Sequence, residues 1–198
     1  MLSVHCEKTE GMNFMNQTIK HIFNRRSCRN FKAEQVPQSE LEDILNCGLS
    51  APSAMNAQNW HFTVISGEEK IEWLDELNKP LLSPEGKARM IERSGEKFSL
   101  FYGAHTIVLV SGPDGDKFGY MNCAFATENM CIAAESMGLN SCIIGLAAMV
   151  FDTDKGAEYC TELDIPAGYK PHYAICLGYS ADEMTAPERV GGKVTYID

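Results

Sequence analysis

Apolar positions along the chain follow two rhythms. Leu41, Ile44, Leu45, Gly48 and Leu49 recur at helical spacing and share one face. Ser39 and Glu42 at the head of that segment match a capping box, S-x-x-E. Pro52 closes it, because Ala51 before the proline is pushed out of the helical region. Trp60 to Ile65 alternates, with Trp60, Phe62 and Val64 on one side, as a half-buried strand does. Ile71, Leu74 and Leu77 return to helical spacing. Ser83 followed by Pro84 predicts an N-cap with proline at the first helical position, opening a charged helix over 84–101. Residues 67–102 are the most polar part of the middle of the chain and predict a mobile helical flap. A short helix running into a turn is expected over His21–Arg26.

The second half is more apolar. Ala104–Val110 is a continuous run that predicts a buried strand. Residues 117–137 are apolar on nearly every side, from Phe118 through Phe125 to Met137, and span about 30 Å as a helix. Such a helix must be covered all round, so it is expected to be central and to meet a second subunit as well. Gly138 reads as the glycine just past its end. Short strands are expected over 141–144, 171–177 and 193–196, and a weaker helix over 152–163. Helices and strands mix without a βαβ rhythm, which predicts an α+β fold. Residues 17–198 read as a single domain after a tail at 1–16, in which Met12 and Met15 are alternative starts.

Composition narrows the function classes. The chain has 27 acidic and 17 basic residues, a formal charge of −10, which argues against a nucleic acid or an anionic membrane as the main partner. No stretch reaches the roughly 20 apolar residues that cross a bilayer, and no signal peptide is evident, so a cytoplasmic protein is expected. The eight cysteines form no C-x-x-C pair and sit in apolar segments, where reduced thiols are expected. The five histidines lack metal-ligand spacing, so no metal is expected. The chain has no G-x-G-x-x-G, P-loop or G-x-S-x-G motif.

Three segments carry candidate chemistry. Arg25-Arg26-Ser27-Cys28-Arg29 places three guanidiniums and a hydroxyl within five positions, a donor set suited to a small dianion. The same spacing suits a solvated face paired with Glu34, Glu40 or Glu42. Pro52-Ser53-Ala54-Met55-Asn56-Ala57-Gln58 is rich in amides, which supply the donors and acceptors needed to read the edge of a heterocycle, though an ordinary loop has this composition too. Gly138 to Leu146 is a glycine-bounded apolar strand; Ile143, Ile144 and Gly145 could lie against a flat ring or simply in a core.

Taken together these segments resemble the FMN-dependent nitroreductase family. Arg25, Arg26, Ser27, Arg29 and Phe31 match its R-R-S-x-R-x-F, and Ala51, Pro52, Ser53, Asn56, Gln58 and Trp60 match its A-P-S-x-x-N-x-Q-P-W. Ala134, Glu135, Gly138, Leu139, Ser141 and Cys142 match A-E-x-x-G-L-x-S-C. Leu163, Ile165, Pro166, Gly168, Tyr169 and Pro171, with Gly178 and Tyr179, match its closing motif. The likeness runs over about residues 18–190. Asn59 stands in place of the usual proline, which is expected to loosen that turn, and His105 stands where proline is frequent.

The resemblance implies a central mixed or antiparallel sheet flanked by helices, with FMN at a homodimer interface. It implies that Arg25, Arg26, Ser27 and Arg29 hold the phosphate or pyrimidine end. Pro52, Ser53, Ala54, Met55, Asn56 and Gln58 cross from the other subunit, and Ile143, Ile144 and Gly145 lie against the ring. Either Arg189 or Lys193 supplies a last basic contact. Hydride then passes from NADH or NADPH through flavin N5 to a nitroaromatic, a quinone or a related small acceptor, in ping-pong order and with no protein catalytic residue. The 67–102 flap covers the flavin, with Trp73, Phe98, Phe101 and Tyr102 as wall candidates. An FMN store or sensor, or a flavin-fragmenting or dehalogenating enzyme, fits the same motifs.

Overall fold

The structure is a computed structural model that describes residues 15–197. The tail expected at 1–16 therefore lies outside the described residues except at its end, where Asn16 caps the first helix by accepting the Thr18 N–H at 2.9 Å. That helix, α1, spans Gln17–Asn24, starting earlier than the expected 21–26. Helix α2 spans Gln38–Leu49. The capping box is not used: Pro37 occupies the N-cap, no side chain caps the helix, and Ser39 lies inside it. The extended backbone of Pro37 already sets the entry (φ −57°, ψ 137°).

Four strands follow, β1 (His61–Ile65), β2 (Thr106–Pro113), β3 (Asn140–Ile144) and β4 (Tyr169–Gly178). They form one antiparallel sheet in the order β1-β2-β4-β3. The only parallel contact described is a bridge between Ser27 and Ser141, beyond β3. The central pair β2 and β4 is buried on both faces, which explains the continuous rather than alternating apolar runs. Val108, Val110, Ile175 and Leu177 pack toward α2 and the long helix α5 (Gly119–Ser136). Ile107, Leu109, Ala174 and Cys176 pack on the other side with Ile71 and Leu74 of α3 (Glu68–Asn78).

Helix α5 is held where it meets α2 by a close approach at Gly48, where a Cβ would stand 2.8 Å from Met130 Cγ. It ends as expected: Gly138 takes φ +82°, and the Gly138 and Leu139 N–H groups donate to Glu135 O at 3.1 Å and Ala134 O at 2.9 Å, a Schellman closure. Its coverage is incomplete, because Tyr120, Met121 and Phe125 stay exposed.

Helix α4 spans Pro84–Ser94, with Ser83 Oγ accepting the Gly86 N–H at 3.1 Å as the cap. It stops well before the expected residue 101, because Gly95 turns the chain at φ +80°. Beyond it Phe98, Leu100 and Phe101 are buried. The helix expected over 152–163 starts later, as α6 over Gly156–Glu162, and a 3-10 helix over Gly145–Asp152 precedes it. The strand expected at 193–196 is not formed; residues 183–197 carry no helix or strand. No helix among the described residues is long and apolar enough to cross a membrane.

Two consequences are measurable. A Cβ at Gly156 would sit 2.1 Å from the Phe151 carbonyl oxygen, so Gly156→Ala should cost about 3 kcal/mol or more through overpacking. An unchanged thermal midpoint would contradict this packing. The seven described cysteines are free, and Cys28, Cys123, Cys131, Cys142 and Cys176 are buried. Burial pushes Cys142 up to about 11 and Cys123 and Cys131 up to about 12. These five thiols should resist alkylation at pH 8 until denaturant is added. Because the folded state disfavours the thiolate, stability should fall as pH rises above the unfolded thiol's value of about 8.5. Rapid native labelling of Cys142, read by mass spectrometry, would contradict the burial.

Candidate functional site

Arg25 ends α1 and turns the chain into an extended strap, residues 25–29, along the free side of β3. The strap is fastened by the Cys28 N–H, which donates to Ser141 O at 2.9 Å. The arginines do not pair with Glu34, Glu40 or Glu42. Arg25 Nε lies 3.6 Å from Glu128 Oε1 on α5; among the described residues the two terminal nitrogens of its fork have no ion-pair partner. Glu135, farther along α5, is raised by burial, opposed by the charges of His21, Arg26 and Arg25. Arg26 spends a terminal nitrogen on the Phe23 carbonyl and, at 2.8 Å, on the Arg25 carbonyl. It therefore closes the end of α1. Arg29 is exposed and, among the described residues, reaches only Ser27 O, at 3.4 Å.

The end of β3 lies on the same edge of the sheet. Its side chains alternate: Ile144 is buried in the core, whereas Ile143 faces outward. At Gly145 no atom lies within 4 Å of where a Cβ would stand. A bare, unobstructed stretch of backbone therefore sits beside cationic forks. This set fits a flat ring with an anionic tail: the forks match phosphate geometry, and the glycine leaves the backbone approachable.

The amide-rich loop is built differently. Ala54–Asn56 form one 3-10 turn, and Met55, Asn56 and Gln58 take φ of +55°, +54° and +47°. Such conformations cost non-glycine residues roughly 1–3 kcal/mol each and persist only when the surroundings impose them. Here Asn122 of α5 imposes them. Its Oδ1 accepts the Ala54 N–H at 3.0 Å and its Nδ2 donates to Asn59 Oδ1 at 2.8 Å. Asn59 Nδ2 donates in turn to Asp116 Oδ2 at 2.7 Å. Within the loop, Ser53 Oγ accepts the Gln58 N–H at 2.9 Å, and Gln58 Nε2 donates to Asn56 Oδ1 at 3.0 Å. Met55 is 88% exposed at the tip, and Pro52 is exposed as well. Asn59, expected to loosen the turn as a replacement for proline, instead anchors it. Sequence reasoning missed Asn122; the available signal was an amide in an otherwise apolar helix, and it is fully buried.

The structure thus brings the candidate residues together in two groups, not one. Arg25, Arg26, Ser27 and Arg29 lie on the strap that bridges β3 at Ser141, the strand whose far end carries Ile143, Ile144 and then Gly145. Pro52 to Gln58 lead into β1, the opposite edge. The two edges are three inter-strand spacings apart, about 14 Å. Arg189 and Lys193 are exposed on the irregular stretch after the sheet. Of the wall candidates, Phe98 and Phe101 are buried, Trp73 packs edge-on against Tyr159, and the Tyr102 hydroxyl donates to Met90 Sδ at 3.6 Å. Cavities of about 530 and 750 Å³ lie along β1 and beside α6, and no residue of either group lines them.

Comparison with known proteins bears on this arrangement. The model of the nitroreductase family matches residues 22–179. An FMN reductase (NADPH) of Bacillus subtilis is 27% identical over 195 residues, covering 92% of this chain and 73% of the relative. A crystal structure of a nitroreductase with bound FMN from Bacteroides fragilis superposes with a TM-score of 0.82 at 30% identity, covering 93% of this chain and 100% of the other. A second FMN-bound nitroreductase structure, from Desulfitobacterium hafniense, gives 0.87 at 27% identity with the same coverage. The family model spans the strap, the loop, the sheet and its closing motif, and the sheet with its helices is the nitroreductase fold; the chain belongs to the nitroreductase family.

Proposed function

We propose that this protein is an FMN-dependent oxidoreductase that takes reducing equivalents from NADH or NADPH and passes them to a small acceptor such as a nitroaromatic or quinone. The observation that carries the reading is the division of the site between opposite sheet edges. One chain offers cationic forks and bare backbone beside β3; the strained amide loop leads into β1, at the other edge of the sheet. A second copy brings its own loop to the first chain's β3 edge and completes the site. The surface for that copy is present: Ile19, Ile22 and Phe23 of α1, with Met121 and Phe125 of α5, are all more than a third exposed. Exposed apolar side chains on two neighbouring helices support an interaction surface there.

In this reading Arg25 and Arg29 hold the phosphate or pyrimidine end through their free fork nitrogens, and Ser27 adds a hydroxyl donor. Arg26 keeps α1 closed so that Arg25 points along the strap. The backbone at Ile144–Gly145 lies against the ring and presents an N–H at its edge. The partner's Asn56 and Gln58 amides read the ring edge, and Met55 covers it. Bound FMN supplies two-electron chemistry at N5, so the chain needs no nucleophile or general base of its own. The cations do more than bind: positive charge near a ring that becomes more anionic on reduction favours the reduced form. The segment 67–102 covers the ring and shapes the acceptor slot. Arg189 or Lys193 completes the phosphate contact as the C-terminal stretch passes the site.

Purified protein should be yellow, release FMN on denaturation, and consume NADH or NADPH with a quinone or nitroarene. A colourless preparation that takes up no FMN would end this reading, and colour without turnover would favour an FMN store. Arg25→Ala should weaken FMN binding roughly tenfold to a hundredfold, the worth of a charge-assisted bond. Unchanged affinity by fluorescence titration would remove Arg25 from the site. Phe125→Glu should convert the dimer to monomer and release FMN together with it; a monomer that retains FMN would show that one chain suffices.

A further inference from the structure

We propose that Asn78 is a positioning residue that holds the backbone at Ile144–Gly145 in the orientation the flavin requires; this rests on the reading above. Helix α3 has a polar sequence, yet Asn78 is fully buried and Asp75 is 4% exposed. Burying an amide is costly unless both its ends are bonded. Asn78 Nδ2 donates to Leu74 O at 2.9 Å, one turn back on its own helix. That bond fixes the amide plane and turns Oδ1 outward, where it accepts the Val150 N–H at 3.0 Å. Val150 lies in the 3-10 helix Gly145–Asp152, which begins at the residue after the end of β3.

Val150 is gripped on its other side too, since Thr153 Oγ1 donates to its carbonyl at 2.7 Å. Ala147 and Val150 are buried in the same cluster as Ile144. The pitch of the short helix is therefore set at Val150 and at Ala147, and Gly145 follows from them. Asp75, one turn before Asn78, accepts the Leu100 N–H at 2.8 Å. Two residues on, Tyr102 O accepts the N–H of Phe31, just past the arginine strap, at 3.1 Å. The buried polar edge of α3 thus reaches both walls of the β3-edge group, with Asn78 serving the ring side.

The chemistry gives this a sign. Oxidised flavin accepts a hydrogen bond at N5, whereas reduced flavin carries a hydrogen there. A backbone N–H aimed at that edge therefore favours the oxidised form, and loosening it raises the reduction potential. A residue that only stabilised the fold would weaken both forms alike.

The test compares Asn78→Leu, similar in size but unable to bond, with Ile71→Ala, a packing loss in the same helix. In Asn78→Leu, the amides of residues 145–151 should exchange hydrogen at least tenfold faster, with or without FMN. The ratio of affinities for oxidised and reduced FMN should fall about tenfold, read as a rise of ~30 mV in midpoint potential. Ile71→Ala should lower the thermal midpoint and leave the potential in place. An unchanged potential in Asn78→Leu, or an equal rise in Ile71→Ala, would overturn the proposal. Should Asn78→Leu fail to fold, Asn78→Ala reads the same two quantities, and no shift in either would overturn it. Wild-type protein that binds no FMN would sink the functional reading instead, leaving the exchange result to stand by itself.

Discussion

A four-stranded sheet is about 14 Å across from edge strand to edge strand, and this chain hangs its two candidate segments on opposite edges. Everything else about the site follows from that width. The arginine strap runs beside β3 and the amide loop leads into β1, so within one protomer the two candidate segments stand on opposite sides of the sheet. Among the described residues, Ile19, Ile22 and Phe23 of α1 and Met121 and Phe125 of α5 stay exposed. In the proposed dimer a second copy would cover apolar surface of this kind.

The two segments are prepared in contrasting ways. The loop is strained: three of its non-glycine residues sit in the left-handed region, held there by bonds running from Asp116 through Asn59 and Asn122 to Ala54. Half of that network is on α5 and the turn before it, so the helix whose Met121 and Phe125 stay exposed also holds the loop. The strap is restrained electrostatically. In a protein of net charge −10, a cluster of guanidiniums draws carboxylates, and Glu128 and Glu135 stand beside it. The Glu128 contact engages only Nε of Arg25, which orients the fork without consuming it.

The elements read from the pattern of apolar positions correspond well to those that form, because period and chain stops are local properties. The Ser83–Pro84 cap and the Gly138 closure depend on a few consecutive residues, and both appear as expected. The errors fall where a longer-range partner decides. Ser39 and Glu42 have the letters of a capping box, but Pro37 begins the helix earlier. Residues 193–196 have a strand's composition, yet among the described residues no strand pairs with them. Asn59 looked like a weakened proline; its value lies in bonds to Asp116 and Asn122, which are far away in sequence. The polarity of 67–102 concealed Leu74, Leu100 and Phe101, which are fully buried or nearly so.

The sequence by itself determined the chemical inventory and the local geometry: which residues are cationic, which are amides, where helices start and stop, and that the whole is α+β. Those properties depend on neighbours within a few positions and on side-chain chemistry, which the order of residues specifies directly. Only the tertiary structure decided how the inventory is divided. Strand order places strap and loop on opposite edges, and burial leaves Arg25 available while Arg26 closes a helix end. It also carries Asn78 to Val150, 72 positions later in the chain. These are consequences of strand pairing and close packing, where a residue's role depends on what is folded against it rather than on what precedes it.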